Sequence, residues 1–289
     1  MREKAQRFDP RQDMQKDSYE IFHYLDIKTR HLDAHYHDFY EVFCFVDGEV
    51  DYWVEGSVYH LKPGDILLIN PTELHKPLPR SDDSKYERIV LWINKSYIST
   101  LAEGMLETCF DSKLASYKKI LRPNSAEKSE LFSLLSSFIR EYYSEDFGNS
   151  ACTLGILLQV MTLINRISLK SGGSSEKYRT STLIADVLAY IGEHYSEDLS
   201  LESVAKHFFV SKYYLSHEFS KAVGTGLYRY IMLKRLNIAH DMLMSGMSPG
   251  QVSHLCGFKD YTVFFRAFKA EYGISPRACL GENKGFSDL

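Results

Sequence analysis

Three histidines and a glutamate stand in an order that suits metal or hydroxyl chemistry: His35-x-His37-x3-Glu41-x6-Gly48, then Pro63-Gly64-Asp65, then His75. Imidazole with one carboxylate is a donor set for Fe, Mn, Ni or Zn. The same side chains also hydrogen-bond the hydroxyls of a small ligand, so the residues alone leave both chemistries open. In a strand running from 35 to 41 the odd-numbered side chains share a face, which would aim two imidazoles and the carboxylate the same way. Trp53 and Trp92 fall on runs that read as strands. There each could stack on a sugar ring, fill the core or face outward.

A second set lies near the other end of the chain, where one pattern occurs twice. Val204, Ala205, Ser211, Leu215, Phe219 and Gly224 mark a short helix, a turn, a longer helix and a stop. Val252, Asp260, Phe264, Phe268 and Gly273 repeat it, with one extra residue in the turn, where Cys256-Gly257-Phe258 replaces Phe208-Phe209-Val210. A short helix crossing a longer one through a tight turn is the helix-turn-helix, whose second helix fits a DNA major groove. Between Ser203 and Gly281 there are ten Lys or Arg against four Asp or Glu, a modest basic excess in a chain of net charge -4. Basic residues so gathered supply phosphate contacts and make binding salt-dependent.

These residues need elements to hold them. From Tyr19 to Asn94, short runs rich in Val, Ile, Phe, Tyr and Trp, punctuated by Asp47-Gly48 and Glu55-Gly56, predict antiparallel strands with hairpins at those dipeptides, in a sandwich or small barrel. From Tyr97 the spacing turns helical, through 127–143 and 151–169, with Leu154, Leu157, Met161 and Ile164 on one face. That seam suits either a second subunit or the barrel itself. Residues 170–177 have the composition of a flexible linker. The expected organisation is a domain over 1–169, a linker over 170–180 and an all-helical domain over 181–289. In the last of these, Ser200, Ser211, Ser248 with Pro249, and Asp260 are candidate helix caps, and a long helix over 227–244 would hold the two motifs apart. Two such helices on one body would meet successive major-groove faces roughly 34 Å apart.

Composition excludes several classes. The N-terminus lacks the apolar core of a signal peptide and no later apolar run reads as long enough to cross a bilayer, which predicts a cytoplasmic protein without membrane contact. The five cysteines are scattered and form no Cys-x-x-Cys pair, which argues against a disulfide framework or zinc finger. Nothing resembles a phosphate-binding loop or a nucleophile elbow, so no enzyme activity is expected.

Gly257-Phe258-Lys259-Asp260, Phe264-Phe265-Arg266-Ala267-Phe268-Lys269, Gly273 and Ser275-Pro276, with Leu236, Ala239 and Leu243 before them, resemble the AraC/XylS family of transcriptional regulators. Ala278-Cys279 departs from that family's aromatic and arginine after the final Ser-Pro. The His/Glu set resembles the two motifs of the cupin barrel, in which three His and one Glu bind a divalent metal, although Thr29 replaces the opening glycine. The resemblance implies a two-domain protein: a cupin-like barrel followed by helices, which binds an effector and dimerises, then a DNA-binding domain. It places the base-reading face at Lys212, Tyr213, Ser216, His217 and Ser220 in the first motif and at Tyr261, Thr262, Phe265 and Arg266 in the second. Arg266 alone can bond guanine bidentately, a contact worth about 1–3 kcal/mol of discrimination. Packing against sugar and helix is the other reading for Tyr213, Tyr261 and Phe265. The implied partners are double-stranded DNA, RNA polymerase, a second copy of the chain and a small effector, a sugar by the family's habit, held by His35, His37, Glu41, Trp53 and His75; the implied output is activation. A divalent metal on His35, His37, Glu41 and His75 is the alternative use of that site. A metal-dependent cupin enzyme with a DNA-binding tail, and a regulator whose barrel only dimerises, are the competing readings.

Overall fold

The computed structural model describes residues 13–27, 34–71, 73–80, 85–112, 114–170, 178–179 and 182–282. Thr29 and most of the expected linker, residues 171–177 and 180, lie outside the described residues. The chain separates into two compact units, Met1–Tyr178 and Arg179–Leu289.

The first unit is built on seven strands: β1 (Tyr19–Asp26), β2 (Tyr40–Gly48), β3 (Val50–Val54), β4 (Ser57–His60), β5 (Ile66–Ile69), β6 (His75–Pro79) and β7 (Tyr86–Ile93), joined by the two-residue β8 (Ile120–Leu121). One sheet runs β1-β7-β2-β5-β8 and the other contains β6-β3-β4. Every adjacent pair among these is antiparallel. Alternate residues of the larger sheet serve two cores. Phe22, Tyr24, Phe43, Phe45, Leu67, Ile69, Val90 and Trp92 point inward and meet Val50, Tyr52, Val54 and Tyr59 from the second sheet. Tyr19, Ile21, Val42, Cys44, Leu68, Ile89 and Leu91 point outward, beneath helices. Burial on both faces is why these strands read as apolar runs rather than as clean alternation.

The covering helices are α1 (Lys95–Thr100), a 3-10 segment over Leu101–Phe110, α2 (Ser125–Tyr142) and α3 (Asn149–Lys170). Asn124 opens α2 with a reciprocal capping box to Glu127. Asn165 ties α3 to the 3-10 segment: its amide oxygen accepts from the Cys109 N–H at 2.7 Å and its amide nitrogen donates to the Leu106 carbonyl at 2.8 Å.

Three expectations change. Glu55 and Gly56, both at positive φ, do turn β3 into β4, but Asp47-Gly48 makes no hairpin. Gly48 is a corner where the chain leaves one sheet for the other. A Cβ there would lie 2.3 Å from the Lys85 carbonyl oxygen, which is why the corner takes glycine. Second, Leu157, Met161 and Ile164 of the helical seam are buried against the sheet, so a contact between subunits would have to use another face of α3. Third, α3, at 22 residues, is long and apolar enough to span a bilayer by composition, against the sequence expectation; its buried residues show that its apolar side belongs to the core.

The second unit holds α4 (Thr182–His194), α5 (Leu201–His207), α6 (Lys212–Val223), α7 (Leu227–Met244), α8 (Pro249–Leu255), α9 (Tyr261–Tyr272) and α10 (Pro276–Glu282). α7 has the expected bounds. Ser200 caps α5 as predicted, whereas Ser248, at the N-cap of α8, donates to the Gln251 side chain and caps no backbone group.

Candidate nucleic-acid interface and barrel site

Local chemistry sets the two candidate recognition helices. Ser211 Oγ accepts from the Tyr214 N–H at 3.1 Å to start α6, and Gly224 ends it in the left-handed conformation. Asp260 Oδ1 accepts from the Thr262 and Val263 N–H groups at 2.6 and 3.1 Å to start α9, and Gly273 ends it the same way. The Val263 and Thr262 N–H groups hold the Asp260 carboxyl below its ordinary pKa. Leu215, Phe219 and Val223 bury one side of α6, as Phe264 and Phe268 do for α9. The other sides face solvent. Lys212, Tyr213, Ser216, His217 and Ser220 are all exposed, as are Tyr261, Thr262 and Arg266, while Phe265 is half-buried. The Lys212 ammonium lies 5.7 Å from the Tyr213 ring centre, so those two share one end of α6.

Inside the first unit, the segment before β2 is not the strand expected over 35–41. His35 makes an isolated bridge to His75, residues 38–39 bend, and β2 begins at Tyr40. The bend is held by His37 itself, whose Nδ1 donates to the Phe39 carbonyl at 2.9 Å while its ring stacks on that of Phe39. His75 Nδ1 likewise donates to the Glu73 carbonyl at 2.7 Å. A carbonyl can only accept, so each Nδ1 carries a proton, and each Nε2 presents a lone pair while its ring is neutral. Both Nε2 atoms are buried without a hydrogen-bond partner.

Glu41 completes the group from the start of β2. One ligand atom from each of His37, Glu41 and His75 lies within 4.8 Å of the others, and all three residues are buried. Glu41 Oε2 accepts from Trp92 Nε1–H at 2.8 Å and comes within 3.3 Å of His37 Nε2. While the His37 ring is neutral that approach joins two acceptors, whereas a doubly protonated ring would make it an ion pair with Glu41. Burial, followed by the neighbouring His35 and His37 imidazoles, keeps His75 well below the ordinary histidine pKa. With both rings neutral, three acceptors converge in a buried place, an arrangement suited to a cation or to a ligand rich in O–H donors. The orphaned nitrogens fit a divalent metal, with His37, Glu41 and His75 to hold it. His35 stands at the edge, its ring centre 4.4 Å from that of His75.

Trp53 does not join them. It is paired with Val58 and Lys76 on the face of β3 opposite Tyr52 and Val54, outside the interior cluster. Its indole is buried there, so the sequence assignment of Trp53 to the effector site is corrected by the period of the strand. Pro63-Gly64-Asp65 is a turn: the Asp65 carboxylate accepts from the Lys62 N–H at 2.9 Å. Trp92 belongs to the site as the donor that orients Glu41, a role visible once the two face each other across β2 and β7. Lys119 was not foreseen. Its buried ammonium donates to Glu73 at 2.7 Å, and that carboxylate, against the opposing effect of burial, holds the lysine above its ordinary pKa. Its partner is 46 positions away in sequence, so no local pattern marks the pair.

Comparison with known proteins agrees with both halves. Residues 19–160 match the AraC-like ligand binding domain family, and residues 204–281 match a helix-turn-helix domain family. The HTH-type transcriptional activator RhaS of Salmonella schwarzengrund is 25% identical over 244 residues, covering 84% of this chain and 85% of that protein. RhaS of Escherichia coli O81 is 23% identical over 253 residues, with 87% and 88% covered. Among solved structures, the C-terminal domain of AraT, a response regulator from Geobacillus stearothermophilus, is 29% identical over 36% of this chain and 88% of that one, with a TM-score of 0.35.

Proposed function

The chain belongs to the AraC family of DNA-binding transcriptional regulators with a ligand-binding domain, and from that premise we propose that it is a cytoplasmic activator that reads DNA with α6 and α9 and answers a small hydroxylated effector, a sugar, bound at His37, Glu41 and His75. The observation carrying the DNA reading is the pair of capped helices whose outer sides expose Lys212, Tyr213, Ser216, His217 and Ser220, and Tyr261, Thr262 and Arg266. Arg266 is the direct reader of guanine. Transcription is raised by contact with RNA polymerase, and two copies of the chain read a repeated site, gaining effective concentration from their linkage.

The effector reading is supported by the same lone pairs. Sugar hydroxyls donate hydrogen bonds, and the site offers two bare imidazole nitrogens and a carboxylate to receive them. The names of the RhaS relatives support the activator output. The effector acts by preferring one of two arrangements of the protein, by as much as its affinities for them differ. The second reading is a divalent ion held by His37, Glu41 and His75 with His35 beside them, which would supply positive charge where three acceptors meet.

Selection of random duplexes on the full-length protein tests the function. The expected product is one preferred sequence present as two repeats, one for each copy of the chain, bound with an affinity that falls steeply with salt. Recovery of unrelated sequences, bound equally well, contradicts the proposal.

A further inference from the structure

Both helix-turn-helix motifs touch one short loop. Between α4 and α5 the chain turns through Tyr195, Ser196, Glu197 and Asp198, and three successive carbonyls of that turn meet residues of α7 and of the second motif. Arg235 on α7 donates from Nε to the Tyr195 carbonyl at 2.7 Å and from Nη2 to the Glu197 carbonyl at 2.6 Å. Between them the Ser196 carbonyl lies against Gly257, in the turn of the second motif. A Cβ on Gly257 would sit 2.3 Å from that oxygen, so the close approach requires glycine, and the left-handed φ of +76° favours it as well. At the surface, Lys259 Nζ reaches Asp198 Oδ2 at 2.6 Å.

The packing around the loop gives it leverage. α5 packs on α6 and α8 on α9, while α7 touches α6, α8 and α9; among the described residues no extensive packing joins α5 or α6 to α8 or α9. Met232, Leu236, Ala239 and Leu243 of α7 belong to the core of the second motif. The loop leads into Leu201 and the first motif, while two of its carbonyls are held by Arg235 of α7 and the one between them lies against Gly257 of the second motif. The matching turn in the first motif holds Phe209 at φ +55° with its side chain almost fully exposed. Crowding at this turn is thus peculiar to the second motif and is no requirement of the helix-turn-helix itself.

We propose that Arg235, Ser196 and Gly257 form a staple that fixes α9 relative to α6, so that each copy of the chain selects DNA by the separation of the two half-sites that its own α6 and α9 read, as well as by their sequence. This rests on the reading that both helices contact DNA. Arg235 and Gly257 are then positioning residues: they set geometry and touch no base.

The test uses the full-length chain and the duplex that the wild type selects from random DNA. Binding is measured on that duplex, on versions with one base pair added or removed between the α6 and α9 half-sites of each repeat, and on a duplex that keeps a single such half-site. One base pair turns a half-site by about 34–36° about the axis, so the wild type should lose at least about tenfold on the altered spacings. Arg235→Met keeps the stem and removes the fork. It should lose about tenfold on the selected duplex, at most about twofold on the single half-site, and should tolerate the altered spacings to within about threefold. Gly257→Ala should behave alike where circular dichroism shows it folded, and Arg235→Met decides where it is not. Spacing discrimination equal to that of the wild type in folded Arg235→Met overturns the staple, and so does an equal loss on full and half sites. A wild type that selects a lone half-site also overturns it, whereas a wild type that selects no sequence contradicts the DNA-binding reading instead.

Discussion

Replacing His75 with phenylalanine distinguishes an imidazole kept for a ligand from one kept for the fold. Without ligand its Nε2 lone pair is buried and unpartnered, and such an atom costs about 1–3 kcal/mol. Phenylalanine removes that cost but also the Nδ1 bond to the Glu73 carbonyl, worth about 0.5–1.5 kcal/mol net. The two nearly cancel. In chelator, the variant should melt within about 4 °C of the wild type, at about 2–4 °C per kcal/mol for a unit of this size. A divalent ion at 100 times its Kd should then add about 2.7 kcal/mol to the wild type, about 5–11 °C on the same scale, and nothing to the variant. The readout is unusually clean, because the chain has two tryptophans, Trp53 and Trp92, both buried in the first unit, so tryptophan fluorescence follows that unit alone. Melts are run in chelator, with Mn, Fe, Ni or Zn added singly, and with a panel of sugars in chelator. A shift with sugar alone supports the hydroxylated effector; a shift with metal alone supports the second reading. Were the variant to melt more than about 10 °C below the wild type in chelator, the imidazole would be structural and the lone-pair reasoning wrong. A wild-type melt unmoved by every ion and every sugar would remove the cluster as a ligand site.

Three further outcomes are expected. Arg266→Ala should weaken the selected duplex about 5- to 150-fold, the equivalent of 1–3 kcal/mol, and unrelated DNA far less; equal losses in a gel-shift series would mean that Arg266 touches only phosphate. Asn165→Leu strands the Cys109 N–H and the Leu106 carbonyl, at about 1–3 kcal/mol each, so urea unfolding followed by tryptophan fluorescence should show a loss of about 2–6 kcal/mol; a loss under about 1 kcal/mol would show that the 3-10 segment finds other partners. Asp260, with its pKa depressed by the Val263 and Thr262 N–H groups, contributes cap stability that is complete above the unfolded aspartate pKa of about 3.9 and is lost as pH falls through the lower folded value. Asp260→Asn should remove that part of the acid dependence of helical circular dichroism between about pH 5 and 2, and an identical acid profile in wild type and variant would deny the cap its charge.

The second unit was far more legible than the first because its signals are local. Ser200, Ser211, Asp260, Gly224 and Gly273 act on backbone groups a few positions away, so caps and stops read correctly from the residues themselves. The first unit depends on distant pairing. Asp47-Gly48 has the composition of a hairpin, yet the Lys85 carbonyl decides that it is a corner. Trp53 sits on the wrong face for a site because of the strand's register, which composition does not reveal. His37 reaches Glu41 through a bend held by the Phe39 carbonyl, so the right residues met for a reason other than strand alternation. Of the site partners, Trp92 reads from the sequence only as an aromatic and Arg235 only as one of ten basic residues, and Lys119 gives no sign, since each works through a partner about 40 or more positions away.

β2 has a further consequence as a lever. Its inward residues Glu41 and Phe43 line the interior where the imidazoles converge, while Tyr40, Val42 and Cys44, one step along the same backbone, are wedged under the helical cover. Tyr40 stacks on Phe110 with ring centres 4.2 Å apart and donates from its hydroxyl to Glu107 at 3.2 Å. A strand whose two sides are both close-packed cannot shift on one side alone. Any displacement that draws Glu41 toward a bound molecule is thereby passed to the roof as a mechanical load, and the backbone of β2 turns a chemical event inside into a strain outside.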